Sequence, residues 1–354
     1  MNLKTAGTNY IAKYDATASV SLDDILSIRD LAAQIRVSLG TAIVFGLTEG
    51  KLDVAPTTAY LMTYREGKCM ANCSFCPQAR ESKSNNQLLS RVTWPIYPTR
   101  DILEALATSS EQKRIIHVCI QALNYPGVFS QLEVLIKEIK TRAAVTVSVS
   151  CQPQNRENIQ HLKEAGADRL GIALDGVTPA VFSNVKGNYY SWENQFRLFG
   201  KALSIFGKGK VSTHLIVGLG ETEQETAKTI QQCVDLGILP ALFAFTPVRG
   251  TALEKVLPPK LVSYRRVQLA RHLIVHGETK ASSFTYSTDG KIIDFGLKNK
   301  ALEPIIASGL PFQTSGCPGC NRPYYNEKPS GPIYNYPKTP NKEEIAEIKE
   351  SLAD

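Results

Sequence analysis

Beyond about residue 100 the chain alternates strand-like and helix-like runs, one pair every ~30 residues, and no other feature limits its fold so closely. Strand-like runs lie at Arg114–Gln121, Val145–Cys151, Arg169–Asp175, Val211–Val217 and Ala241–Pro247. Helix-like runs fall between and after them, at Val128–Thr141, Asn155–Ala165, Ser191–Phe206, Thr222–Leu236 and Ser263–Val275. Parallel strands need a crossover between them, and an amphipathic helix both makes the crossover and covers the sheet. Upstream, Thr57–Tyr64 has the β-branched and aromatic content of a first strand, and Ser283–Ser287 is a weaker last one. The expected class is therefore α/β, a full or partial (β/α) TIM-type barrel. Chemistry is expected at the C-terminal ends of its strands.

The two ends depart from this pattern. Ser21 opens a helical periodicity that runs to about Leu39, so residues 1–50 are expected to form a helical segment ahead of a barrel over 51–300. After Leu310 the chain becomes rich in Pro, Gly, Tyr and Asn, which marks residues 301–354 as an irregular C-terminal tail. A final helix is expected from Asn341, with Glu344 as its capping-box partner.

Composition excludes several classes. Hydrophobic residues make up 43% and charged residues 21%, as in ordinary globular enzymes. The first fifteen residues lack an apolar core with a small-residue cleavage site, and no apolar run is long enough to span a bilayer. A cytoplasmic protein with no membrane partner is expected. The net charge of +7 suits an anionic cofactor or an acidic protein partner, or simply a solvated basic surface. No arginine-rich run or helix-turn-helix pattern is present, so nucleic acid is not expected as a partner.

Eight cysteines in a reducing compartment point to metal ligation more than to disulfides. Cys69, Cys73 and Cys76 stand at C-x3-C-x2-C spacing in the loop that leaves the first strand. Three thiolates can hold three irons of a cubane and leave the fourth open to a small molecule. A structural zinc site would want four ligands in paired spacings, and no second pair lies nearby. Three incidental loop cysteines, or zinc with a distant fourth ligand, are the alternatives.

This loop resembles the signature of the radical S-adenosylmethionine (radical SAM) superfamily. That resemblance implies a [4Fe–4S] cluster on Cys69, Cys73 and Cys76, with S-adenosylmethionine chelated at the open iron and cleaved reductively to a 5′-deoxyadenosyl radical. It implies that the backbone of Phe75 meets the adenine and that Asp175, closing the strand Gly171–Asp175, contacts the ribose. The run Ile216 to Glu221, with Gly218 inside it, resembles the family's adenine-packing strand end. Strand two ends in Gln121-Ala122-Leu123 where the superfamily commonly has glycine-glycine-glutamate.

Within the superfamily, residues from about 55 to 290 are similar to biotin synthase. The likeness rests on the Cys76-Pro77-Gln78 end of the loop, the Ile216–Glu221 run, and Pro247-Val248-Arg249-Gly250-Thr251, which adds Val248 to the expected cofactor contacts. It implies a second cluster in the barrel, with Cys119 and Cys151 at the positions of two of its ligands. Two positions differ: Ser212 stands where biotin synthase has a third barrel cysteine, and Ala173 where it has an asparagine for the ureido group. A pocket without that asparagine would leave a ureido ring's polar groups unpaired.

The tail motif Cys317-Pro318-Gly319-Cys320-Asn321-Arg322-Pro323 offers two replacement ligands, so Cys119, Cys151, Cys317 and Cys320 form the expected set for an auxiliary [4Fe–4S] cluster. A zinc knuckle is the alternative for the tail pair. Cys233, on a helix, is expected to be a buried apolar residue. A biotin-synthase-like barrel with this tail resembles the archaeal two-component lipoyl synthases. The implied function is sulfur insertion into an octanoyl or mercapto-octanoyl chain on a lipoyl carrier. The implied partners are that carrier domain, a second radical SAM lipoyl synthase component, and a ferredoxin- or flavodoxin-like reductant. A biotin-synthase-like enzyme on a small substrate, a radical enzyme whose second cluster relays electrons, and a non-catalytic iron–sulfur or zinc scaffold remain open beside it.

Overall fold

The computed structural model describes residues 31–353. Its main sheet has eight strands: β1 Gln34–Val37, β2 Thr58–Thr63, β5 Ile96–Pro98, β6 His117–Gln121, β7 Thr146–Ser150, β8 Arg169–Gly171, β9 Val211–Val217 and β10 Leu239–Ala244. Between β2 and β5 lies a separate small ribbon, β3 Leu88–Leu89 with β4 Val92–Thr93. The order across the main sheet is β10-β9-β8-β7-β6-β2-β1-β5. From β2 to β10 every pairing is parallel, whereas β1 runs antiparallel to both β2 and β5. With β5 and β10 left at its edges, the sheet is a partial barrel.

The alternation seen in sequence is a burial pattern in space. Along β9, Val211, Thr213, Leu215 and Val217 are buried while Ser212, His214 and Ile216 are half-buried and face the barrel interior. The crossover helices Val128–Arg142, Arg156–Glu164, Trp192–Phe206 and Glu223–Leu236, and the helix Leu261–Val275 after β10, fall within a few residues of the expected runs. Asn155, Ser191 and Thr222 cap three of them through their side chains.

Two expectations need correction. The helix expected over Ser21–Leu39 lies largely outside the described residues, and its last part is β1, a strand seated in the main sheet. The strand expected at Ser283–Ser287 is reduced to Thr285–Tyr286, which pairs with Ile292–Asp294 in a separate ribbon and not in the barrel. The terminal helix is present at Lys342–Ala353, and Asn341 and Glu344 exchange the hydrogen bonds of a capping box.

The tail returns to the open flank of the sheet. The Ser315 hydroxyl accepts from Leu242 N at 2.8 Å, and Arg322 Nη2 donates to Leu242 O at 3.1 Å, so the exposed edge of β10 is paired by tail side chains. On the β2 side, Thr57 N donates to Asn321 Oδ1 at 3.1 Å, and Arg322 N donates to the Tyr60 hydroxyl at 2.9 Å. The CPGC loop is therefore held between β10 and β2, against the barrel wall.

Candidate active site

The cysteine loop leaves the C-terminal end of β2 and is closed by its own backbone. Cys69 N donates to Gln78 O at 2.9 Å, Cys76 N to Cys73 O at 3.0 Å, and Ala79 N to Cys76 O at 3.0 Å. Lys68 Nζ, inside the ring, donates to Pro77 O at 2.6 Å and Ser84 O at 2.8 Å. Buried Gln78 anchors the far side, donating to Asn86 O and Leu88 O. The loop is tied to the barrel by Met70 N to Asn124 O and by Ser74 N to Val185 O, both 2.8 Å.

Cys69, Cys73 and Cys76 line one cavity at the mouth of the barrel, together with Asp175, Lys186, Asn124 and Tyr190. Burial pushes the Cys73 thiol up to about 11, with Lys186 opposing the shift. Burial first, and the charge of Cys73 second, push Cys76 further up. Without a cation these thiols stay protonated at neutral pH, and a metal centre is what makes thiolates stable in such a place. The donor set fits an iron–sulfur cluster.

Phe75, Asp175 and Ile216 line the adjoining cavity. Gly218, Glu221 and Val248 stand outside the walls of both cavities. The Glu221 carboxylate accepts from Gly218 N at 2.5 Å and Leu219 N at 3.0 Å, bracing its own loop. Capping of the next helix falls to Thr222 and Glu225.

The sequence of residues 67–233 matches the radical SAM superfamily. Residues 67–233 carry a radical SAM domain. Biotin synthase of Magnetococcus marinus is 26% identical over 205 residues, covering 55% of this chain and 59% of that protein. Biotin synthase of Aquifex aeolicus is 24% identical over 201 residues, covering 55% and 57%. The chain thus spans a little over half the length of the curated relatives it matches. Among solved structures, methylornithine synthase superposes with a TM-score of 0.50 at 13% identity, covering 73% of this chain and 74% of that one. HydG, a maturase of the [FeFe]-hydrogenase, gives 0.50 at 15% identity, covering 62% and 50%. These two likenesses show the fold. A radical SAM domain implies a [4Fe–4S] cluster and S-adenosylmethionine, and Cys69, Cys73 and Cys76 are the residues placed to hold the cluster.

Around the radical SAM cavity stand four residues that the sequence reading did not single out: Lys186, Asn124, Tyr190 and His214. Lys186 ends a helix, Pro179–Lys186, whose start is marked by a Thr178 cap followed by proline, a signal that was legible. Its ammonium is 2.5 Å from Asp175 Oδ2 and 4.9 Å from the Tyr190 ring centroid. Asn124 Nδ2 donates to the Tyr190 hydroxyl at 2.6 Å, and Asn124 N donates to Cys69 Sγ at 3.2 Å. His214, on the interior face of β9, is held down to about 4 by burial and is neutral at physiological pH.

Deeper in the radical SAM barrel, Cys119, Cys317 and Cys320 line a further cavity. Burial and then the charges of Cys317 and Cys320 push Cys119 up to about 12. Cys320 Sγ lies 3.1 Å from the Tyr60 hydroxyl. Ser212, at the position that separates this chain from biotin synthase, lines the same wall.

Cys151 does not join this group, which corrects the four-cysteine set. The register pairs Cys119 with Ser148, and Cys151 is an odd number of residues further on, past the end of β7. Residue Cys151 borders the cavity of the loop cysteines instead, its side chain packs in the main hydrophobic core, and only burial shifts its thiol. The place opposite Cys119 belongs to Ser148, whose hydroxyl pairs with His117 Nε2 at 2.8 Å and donates to Val118 O at 3.3 Å. Cys233 is fully buried in the hydrophobic core, as expected. Among the described residues no three His, Cys, Asp or Glu side chains close around a single metal ion. No helix among them is long and apolar enough to cross a membrane.

Proposed function

We propose that this chain is a radical SAM sulfurtransferase, one component of a two-protein lipoyl synthase, acting on an octanoyl or mercapto-octanoyl chain carried by a lipoyl domain. One observation carries the reading. The cavity of Cys119, Cys317 and Cys320 shares Gln121, His214, Phe243 and Tyr325 with the cavity of Phe75, Cys76, Asp175 and Ile216. A second thiol group adjoining the radical site suits an enzyme that must deliver sulfur to the carbon from which hydrogen has been taken.

When bound, the loop cluster with S-adenosylmethionine supplies a carbon radical able to break an unactivated C–H bond, and an auxiliary cluster supplies sulfide. The chain's own residues organise the site for both. Lys186, paired with Asp175 at the mouth, places a fixed cation where an amino acid carboxylate is expected. Neutral His214 and the rings of Phe243 and Tyr325 line the wall that the two cavities share. The Tyr60 hydroxyl hydrogen-bonds the sulfur of Cys320, and Gln121 Nε2 donates to that of Cys119 at 3.1 Å. An acidic carrier domain would suit the net charge of +7. A second radical SAM component for the other sulfur and a ferredoxin- or flavodoxin-like reductant complete the proposed system.

The test is incubation of the anaerobically reconstituted protein with an octanoylated or mercapto-octanoylated lipoyl domain. One new C–S bond per chain, with loss of the auxiliary cluster, is the expected result. Biotin synthase relatives favour a second reading, sulfur insertion into a small substrate. Turnover of dethiobiotin in place of the acylated domain would select it. Turnover with the auxiliary cluster intact would instead select electron relay.

A further inference from the structure

A cavity of about 400 Å³ lies at the N-terminal end of the barrel strands, away from the mouth. Two bonds at its rim place it there. Arg271 Nε donates to Pro240 O, near the start of β10, at 2.7 Å, and Thr57 Oγ1, just ahead of β2, donates to Gly319 O at 2.7 Å. The helix Leu261–Val275 and its C-cap contribute Arg271, His272 and His276 to the walls. The tail contributes the rest, chiefly the turn over residues 316–320 and Tyr336. Gly316, Cys317 and Cys320 also line the cavity of the second thiol group, so this turn divides the two spaces.

The charge in this cavity is one-sided. Among the described residues its walls carry no Asp or Glu. Arg271 uses only Nε on the protein, and neither Nη has a partner among the described residues. Neither Nη is sealed in, because neither is one of the fully buried unpaired atoms of the chain. Burial lowers the Arg271 pKa to about 10, with Tyr264 opposing and Arg322 adding to the shift, so the guanidinium is partly stripped of water and still charged. A desolvated cation without a counter-ion is unfavourable, and an anion entering the cavity would offset that cost. The His272 and His276 rings, with centroids 4.3 Å apart, are on hand as further N–H donors.

We propose that this cavity binds a phosphate group, held by the two Nη groups of Arg271 and by the imidazoles of His272 and His276. Donors from three side chains suit a tetrahedral oxyanion better than a carboxylate, whose two oxygens the guanidinium fork alone would occupy. The space exceeds a single phosphate, and Leu310 and Tyr336 give it an apolar side for the organic part of a phosphate monoester. Bound there, the phosphate bridges the end of the helix and the turn that carries Cys317 and Cys320, and so fastens the tail to the barrel. The assignment does not depend on the sulfur-transfer reading.

The test is calorimetric titration of the reconstituted protein with inorganic phosphate, with phenyl phosphate, acetate and chloride at matched ionic strength as parallel arms. Saturable phosphate binding is expected with a Kd below about 1 mM, roughly tenfold or more tighter than acetate or chloride. Arg271→Gln should weaken it by roughly tenfold or more, the loss of charge-assisted hydrogen bonds. Arg271→Lys keeps the charge without the fork and should fall between the two. His276 is exposed, so His276→Leu puts little of the fold at risk, and it should weaken binding about fivefold. Phosphate should also raise the melting temperature of wild type and slow proteolysis of its tail, and do neither in Arg271→Gln. Tighter binding of phenyl phosphate than of phosphate would support a monoester as the occupant, and equal binding would support the free ion. No saturable binding, acetate or chloride binding as tightly as phosphate, or binding unchanged in both Arg271→Gln and His276→Leu overturns the assignment.

Discussion

Lys186 and Asp175 form an ion pair in which Nζ and Oδ2 are 2.5 Å apart and the side chains are 3% and 8% exposed. Burial alone would discharge the lysine, but Asp175 and then Cys73 outweigh it and hold its pKa above the ordinary value. Asp175 is placed by unusual backbone: its φ is +64°, and it makes an isolated parallel bridge to Leu215. A fixed cation is thereby set beside the three loop thiols.

Breaking this pair strands a charge. Asp175→Ala should destabilise the protein by about 3–5 kcal/mol, because Lys186 would remain buried without its partner. Asp175→Leu/Lys186→Met should recover most of that loss, since neither charge then has to be buried. Urea unfolding of the three proteins decides the matter. An Asp175→Ala midpoint equal to wild type would show that the lysine finds water or another partner.

Much of this site was legible in sequence, and what was missed has physical causes. C-x3-C-x2-C spacing is local, so Cys69, Cys73 and Cys76 needed no tertiary information. The Val211–Val217 strand matched because alternate burial leaves a clear two-residue period. Cys151 was misplaced because a thiol just beyond a strand end has lost that period, and only the pairing of Cys119 with Ser148 reveals it. Lys186 was missed because its helix, Pro179–Lys186, has only 8 residues, too few for a convincing periodicity. β1 was read as helix because its hydrophobic residues also satisfy helical spacing, and pairing with β2 and β5 overrides that preference.

Changing Cys69, Cys73 and Cys76 together to Ala should abolish 5′-deoxyadenosine formation. The folded barrel should survive, because Lys68 and Gln78 each anchor the loop through two hydrogen bonds, and of the three thiols only Cys69 accepts a bond from the barrel, from Asn124. Circular dichroism and chromatographic product analysis provide the two readouts. Retained cleavage would exclude the loop as the cluster site.

Glu327 should make stability pH-dependent. Its side chain is buried, Oε2 has no partner among the described residues, and burial raises its pKa from 4.5 to about 7, with Arg322 opposing. For an acid shifted upward, the stabilising protonated form is fully present below the unfolded pKa. That contribution is lost as pH rises through the folded one. Stability should therefore fall between about pH 4.5 and 7, by roughly 3 kcal/mol from this group. Glu327→Gln should remove that component. An identical pH profile in the variant, measured by denaturant unfolding at several pH values, would show that water or a neighbour satisfies the carboxylate.

The division of the cysteines into two groups leads to the sharpest comparison. Cys119, Cys317 and Cys320 share one cavity, whereas Cys151, past the end of β7, borders the other and packs in the main hydrophobic core. In a Cys69→Ala/Cys73→Ala/Cys76→Ala background, any iron retained reports on the second group alone. Adding Cys119→Ala, or Cys317→Ala with Cys320→Ala, should remove that iron, because a cubane deprived of thiolate ligands is not retained. Adding Cys151→Ala should leave it in place. Replacing a buried thiol by Ala deletes a single atom, so the fold should tolerate the change at a cost of about 1 kcal/mol. Iron and sulfide analysis with Mössbauer spectra reads out all four proteins. Loss of iron with Cys151→Ala would restore the four-cysteine set and require β7 to shift when the cluster binds. Zinc in place of iron in the background variant would turn the tail into a structural knuckle and remove the sulfur source on which the proposed function depends.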